Sequence, residues 1–353
     1  MTSEAAIRAL AADAQAQGAS DVHLDLDVDA VRLRLRVDGR LRAWVPARLE
    51  PERLRAAAWE VAGSGADRLD EWQVASHAEG ERLALRLRSE RTGVAVDGLS
   101  ALGLVPAQAR LLLRATERPG GVLVVAGPAG SGRRTTIAAL LAGEARTQSV
   151  VALGATIPGA LRIDGASGSA AMDRAISLDP DILVLGQVED RETAALAFQV
   201  AAGGRRVILR LDAPDAIAAI DALRALRIDR LALAAHLRAV TAQRLAHRLC
   251  QACRRPVQAS NGTAALLGFD PGAVIYESPG CGECEGRGRV SAIGVFELLA
   301  IDAALARLVN DGADAALLAR HAFLNAQRID SAARSMAREG LIDAAEAIRL
   351  SRG

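Results

Sequence analysis

Apolar and polar residues alternate along residues 21–37. Val22, Leu24, Leu26 and Val28 keep a period of two, and Val31, Leu33, Leu35 and Val37 repeat it. That period predicts two half-buried strands. Asp38-Gly39 is a turn signal that closes a hairpin onto residues 41–45. Arg32, Arg34 and Arg36 share one strand face, read as solvated in preference to anion-contacting. Residues 3–18 and 51–63 have helical periodicity. Leu83, Leu85 and Leu87, set among Arg82, Arg86 and Arg88, predict a further strand.

The pattern then changes. Residues 91–120 read as a connector and a helix. Residues 121–126 form a continuous apolar run, 150–153, 181–185 and 207–211 read as further, largely apolar strands, and helical stretches at 172–178 and 192–202 separate the later ones. Strands of this kind alternating with helices predict a parallel sheet covered on both faces. Residues 154–170 read as loop, 214–249 as helical, 293–296 as a short strand, and the chain from Asp302 onward as a helical tail.

Composition narrows the function classes. With 353 residues, the chain has room for two or three domains. Aromatic residues are 2% of the chain and its net charge is +1. It therefore lacks both stacking platforms for single strands and the basic excess of a nucleic-acid binder. No apolar run reaches membrane-spanning length and the first residues lack an apolar signal core. The expected location is the cytoplasm, with any attachment to a membrane made through partners. There is no Lys at all; the basic residues other than His are all Arg.

The first candidate site is the glycine loop Gly127, Pro128, Ala129, Gly130, Ser131, Gly132, followed by Arg133, Arg134 and Thr135. A strand, a glycine loop and a helix start form the setting in which backbone N–H groups cradle phosphate. The spacing G-x-x-x-x-G is intact. The Lys and the Ser/Thr that should follow it are Arg133 and Arg134. Thr135 is one helical step further on, turned roughly 100° away, and is a poor replacement for the missing hydroxyl. The second candidate site is the set of four cysteines. Cys250 with Cys253, and Cys281 with Cys284, are two C-x-x-C pairs with no cysteine left over. Four thiolates that converge would bind a structural Zn²⁺ with no open position. Zinc is preferred to four reduced thiols or a redox pair.

Four stretches together carry a family resemblance: ASDVHLDLDVDAVRLRLRVDGRL, GGVLVVAGPAGSGRRTTIAALL, SLDPDILVLGQVEDRETAALAFQVAAGG, and AQRLAHRLCQACRRP through GCGECEGRGRVSAIGVFELL. The chain resembles the type II secretion and type IV pilus assembly ATPases. That resemblance implies an α/β fold: a RecA-like P-loop core at 93–249 behind a small, abbreviated α+β N-terminal domain at 1–92. A tetracysteine zinc element at 250–285 and a C-terminal helical region at 286–353 would follow. It also implies ATP as ligand, a six-membered ring, and inner-membrane secretion or pilus platform proteins as partners.

The departures from the family pattern bear on activity. Arg133 and Arg134 replace the P-loop Lys and the magnesium-binding hydroxyl. Gly154 and Ala155 stand where the family has an acidic pair, and Arg205 and Asp212 where it has two histidines. Gln187 stands in place of the Walker B Glu, the degenerate catalytic position. An amide has nearly the shape of a carboxylate but accepts no proton at neutral pH. After RLDEWQV the chain reaches GERLALRLR almost at once, where the family has an intervening strand. The expected protein binds ATP weakly, with little Mg²⁺ dependence. It serves as a structural or regulatory subunit, in a homo-hexamer or in a ring mixed with an active paralogue. The alternative is an active ATPase using Arg133 on the phosphates; a third reading is an anion sensor that forms no ring. His23, His236 and His247 are read as packing or surface residues, the last two on helices. Asp190 is read as a helix cap, and Glu297 has no assigned chemistry.

Overall fold

The computed structural model describes residues 3–28, 30–37, 40–46, 50–65, 68–69, 72–89, 98–117, 120–142, 144, 147–163 and 168–352. The expected Asp38-Gly39 turn lies outside them. The chain divides into two compact units, residues 1–94 and 95–353.

The first unit contains α1 (Ser3–Ala16), β1 (Ala19–Leu26), β2 (Val31–Val37), β3 (Arg40–Ala43), α2 (Pro51–Gly63), β4 (Arg68–Leu69), β5 (Trp72–Glu79) and β6 (Arg82–Ser89). The strands form one sheet in the order β3-β2-β1-β6-β5-β4, and each neighbouring pair is antiparallel. The alternating residues do what their period predicts. Val22, Leu24, Leu35, Leu83, Leu85 and Leu87 point inward, onto Ile7 and Leu10 of α1 and Leu54 of α2. On the polar face Asp25 takes Arg34 at 2.7 Å and Arg86 at 2.5 Å, and Arg82 reaches Asp27 at 3.0 Å. Arg34, Arg82 and Arg86 are thus balanced by carboxylates on β1 and just beyond it. His23 lies on β1 opposite Arg34 and Arg86. Burial and the Arg86 charge hold its imidazole below the ordinary range. One expectation fails here: β5 is a full strand where none was read. Its sequence WQVASHAE has one strong apolar anchor, Trp72, which is buried. Pairing with β6 along its whole length makes it a strand, and that pairing is invisible to a local window.

The second unit opens with a 3₁₀ turn, Leu99–Leu102, and α3 (Pro106–Glu117). Next come β7 (Gly121–Ala126), α4 (Arg133–Leu141), β8 (Val150–Leu153), β9 (Leu161–Ile163), α5 (Ser169–Ser177), β10 (Ile182–Gln187), α6 (Arg191–Ala202), β11 (Arg206–Leu211), α7 (Ala216–Ala225), α8 (Arg230–His236) and β12 (Leu237–Leu249). Strand β13 (Arg255–Gln258), α9 (Asn261–Leu267) and β14 (Val274–Glu277) form a small insertion before β15 (Arg289–Ala300). The helices α10 (Ala303–Asp311), α11 (Ala315–Ala322), α12 (Ile329–Arg338) and α13 (Ala344–Ser351) complete the chain. The main sheet runs β15-β12-β7-β11-β10-β8-β9. Its strands are parallel except β15, which is antiparallel to β12. Its two faces bury separate cores. Val122, Val124, Leu183, Leu185, Val207 and Leu209 pack under α6 and α7, while Leu123, Val125, Val184 and Ile208 pack under α3 and α4.

Three expectations are corrected. Residues 237–249, read as helical, are strand β12, so His247 lies on a strand. The Ala, Leu and Arg content of LRAVTAQRLAHRL favours helix, but its position between β7 and β15 supplies hydrogen-bond partners along both edges. β15 extends over twelve residues in place of a short strand at 293–296, because it pairs with β12 along most of its length. Within the expected loop 154–170, Leu161–Ile163 adds an edge strand to β8.

Candidate functional site

The carboxyl ends of β7, β10 and β11 meet at one edge of the sheet, where parallel α/β folds place ligands. The loop after β7 turns through Gly127 and Gly130 into Gly132, the left-handed N-cap of α4. Gly127 has φ near +147°, and a Cβ there would sit 2.4 Å from Ser131 Oγ and 2.5 Å from the Gln243 carbonyl oxygen. Only glycine fits. Pro128, Ala129 and Gly130 are exposed at the tip, while Ser131 is buried. Gln243 of β12, also buried, donates its amide to the Ser131 carbonyl at 2.7 Å. The sheet therefore braces the loop from below.

Arg133 opens α4, and its side chain is 8% exposed. Its Nη1 donates to the Leu211 carbonyl at 2.6 Å and, over a longer 3.4 Å, to Gln187 Oε1. The same nitrogen is ion-paired with Asp212. A residue expected to face phosphate instead points down between the ends of β10 and β11. Two of the other departures from the family pattern are thus joined to it: Gln187 and Asp212. Arg205 is not. It precedes β11 at the opposite end of that strand and pairs with Asp179 at 2.8 Å. Arg134 and Thr135 are half-buried on the first turn of α4. Thr136 is buried, with its hydroxyl turned back toward the Gly132 carbonyl at 3.5 Å. Gly154 and Ala155 follow β8 and bring no charge. Gly186 is obligatory beside them, since a Cβ would lie 2.3 Å from the Gly154 carbonyl oxygen. Asp190 caps α6, accepting the Thr193 amide at 2.7 Å, as read from sequence.

Two residues of this site escaped the sequence reading. Gln243 sat in a segment taken for helix. Arg210 is a cation inside an apolar strand run, and that was the available signal. It pairs in register with Gln187 on one side and Val125 on the other.

Glu297 acquires a role that sequence alone did not give it. It is buried on β15 and accepts the Ala216 amide at 2.9 Å and the Ile329 amide at 3.2 Å. These are the first residues of α7 and α12, so one carboxyl group caps two helices. Burial pushes this carboxyl above its ordinary value of 4.5, outweighing the two amides that lower it. Folding then prefers the protonated form. The stability it contributes is full below the ordinary value and is lost as pH rises through the raised one. Glu297→Ala should cost about 3 kcal/mol in a denaturant titration, since two buried N–H groups lose their acceptor. The stability of wild type relative to Glu297→Gln should fall as pH rises above the ordinary value of 4.5. A constant difference would show that the carboxyl titrates at its ordinary value.

The four cysteines converge as their spacing predicts. Their sulfurs all lie within 4.8 Å of one another. Cys250 to Cys281 and Cys281 to Cys284 are 3.8 Å apart, and Cys253 to Cys284 is 3.9 Å, close to the edge of about 3.8 Å set by four zinc–thiolate bonds of about 2.3 Å. Burial raises the Cys284 thiol, but the amides of Cys281 and Gly288, each 3.1 Å from its sulfur, help bring it to about 6. The donor set fits a tetrahedral thiolate-bound ion. Arg254, beside the site, stacks on Tyr276 and donates to the Glu339 and Gly340 carbonyls at the end of α12. The element is thereby fastened to the C-terminal helices.

A parallel sheet with a glycine loop opening a helix at its carboxyl edge defines a P-loop protein of the α/β class. The chain belongs to the family described as Type II/IV secretion system protein, whose model matches residues 73–349. It is 32% identical to the type II secretion system protein E of Pseudomonas aeruginosa, over 98% of this chain and 75% of that protein. It is 30% identical to the type II secretion system protein E of Klebsiella pneumoniae, with the same coverage. Among solved structures, the pilus retraction motor PilT with bound ADP shares the fold, with a TM-score of 0.66 at 21% identity, covering 98% of this chain and 96% of PilT. Among the described residues, no helix is long and apolar enough to cross a membrane.

Proposed function

We propose that this protein is a secretion-ATPase relative that keeps the nucleotide-binding scaffold and has lost turnover. It acts as a structural or regulatory subunit of a type II secretion or type IV pilus system. The observation that carries this reading is the engagement of Arg133 with Asp212 and the Leu211 carbonyl. The loop's first cation is spent inside the protein, and the neighbouring Walker B position offers an amide, Gln187. Removing one electrostatic stabiliser costs about 3 kcal/mol of transition-state binding, and removing a general base costs a further ~10²–10⁴-fold. The cysteine site holds Zn²⁺ and does structural work only. The expected setting, carried over from the family resemblance, is a cytoplasmic ring, homo-hexameric or mixed with an active paralogue, on inner-membrane platform proteins.

Steady-state phosphate release tests the reading directly. The purified chain with Mg-ATP should stay at the background rate, and mixing it with an intact family ATPase should change the partner's rate without adding turnover of its own. Brisk turnover by the pure chain would establish the active-ATPase alternative instead.

A further inference from the structure

Arg210 is a cation at the loop edge to which the preceding account gives no task. It shares the α4-facing side of β11 with Ile208, one residue before the Leu211 carbonyl that accepts from Arg133. It is half-buried, its Nε is shielded from solvent without a partner, and among the described residues its guanidinium makes no hydrogen bond. Its neighbours make matters worse. Burial, then the charges of Arg133 and Arg134, bring it down to about 10, and Asp212 opposes them. Asp212 is already paired with Arg133. Arg210 stays charged at neutral pH, and a half-buried cation whose neighbouring carboxylate is already paired with another arginine is costly to keep in a fold.

An anion would relieve that cost. The glycine loop beside it presents backbone N–H donors, and a guanidinium fork matches phosphate oxygens. The carboxylate beside Arg133, Asp212, is already ion-paired, and the positions that would serve a divalent cation offer it no ligand. Arg134 stands in the position of its hydroxyl ligand, Gly154 and Ala155 are uncharged, and three guanidinium groups repel it. We propose that Arg210 is the cation that holds phosphate at this loop, and that the site takes the metal-free di- or triphosphate in preference to its magnesium complex. The inference rests on the nucleotide-binding part of the function proposed above. It adds the contacting residue and the charge state of the ligand.

Calorimetry on the full chain with pyrophosphate and with ADP, in EDTA and in excess Mg²⁺, tests it. Wild type should bind at least as tightly in EDTA as in Mg²⁺. Arg210→Gln should weaken binding in EDTA by about tenfold or more, the effect of losing a charged hydrogen bond, and Arg210→Lys should fall between. A thermal melt separates ligand binding from folding: without ligand, Arg210→Gln should melt no lower than wild type, and pyrophosphate should raise only the wild-type midpoint. Tenfold tighter binding in Mg²⁺, unchanged binding by Arg210→Gln, or a lower melting point of that variant without ligand would each overturn the assignment. Phosphate release from Mg-ATP by wild type would remove the loss-of-turnover reading and leave the pyrophosphate result standing. Failure of wild type to bind either ligand would remove both.

Discussion

Gln187→Glu should leave ATP turnover at the wild-type background. The position lies 3.4 Å from Arg133 Nη1, so a new carboxylate there would be drawn into the ion pair that Arg133 already makes with Asp212. It would be held by the guanidinium instead of activating water, and its pairing should raise the melting temperature slightly. Arg133→Lys and Arg134→Thr, added to Gln187→Glu, should raise phosphate release by about 10²-fold, the lower end of what a restored base supplies. The gain stops there because Gly154 and Ala155 still contribute no carboxylate, and contributions of groups that act together do not add. Malachite-green assays on the single and triple variants decide the matter. Recovery in the single variant would mean that the loop was competent as it stands.

Loss of the metal at the cysteine site should be the most damaging change to the fold itself. Mass spectrometry under native conditions should find one zinc per chain. Cys281→Ala should cost upward of about 4 kcal/mol, in the range reserved for loss of a metal or comparable core feature. The damage should be local at first. Residues 250–288 join β12 to β15 and lean on α12 through Arg254, so this segment should become the earliest protease cut site, before the main sheet opens. A four-thiolate site has no open coordination position, so zinc loss should leave phosphate binding at the glycine loop unchanged as long as the chain stays folded. A metal-free chain with wild-type stability would show that the four thiols hold no structural ion.

The two sites differ in how far their surroundings reach. Gln243 ties the loop to β12, and β12 runs on to Leu249, next to Cys250. The same strand thus supports the loop at its middle and delivers the first cysteine of the cluster at its end. Glu297, on the paired strand β15, caps α7, which follows Asp212 by a short turn. Core positions with no chemistry of their own thereby fix the geometry of both sites.

Much of the protein was settled by local rules. The two-residue period of Val22 to Val37 requires a sheet with one wet face. The apolar runs at 121–126 and 182–185 require strands covered on both sides. Gly127, Gly130 and Gly132 specify a left-handed turn that few other residues accept. Two C-x-x-C pairs can close on one ion wherever the chain brings them. Helix starts were equally local: Asp190, Asp215, Asp229, Asp302, Asp314 and Asp343 each cap the helix that follows. Only the assembled sheet decided the rest. Leu237–Leu249 is a strand because β7 and β15 flank it, against its helical composition. Arg133 turns inward because the ends of β10 and β11 place Leu211 and Asp212 beneath it. Arg210 is exceptional because two other arginines arrive beside it, one helix away in the fold. Periodicity and backbone preference act within a few residues, whereas the partner of a charge or of a strand edge is chosen by whatever the tertiary structure brings next to it.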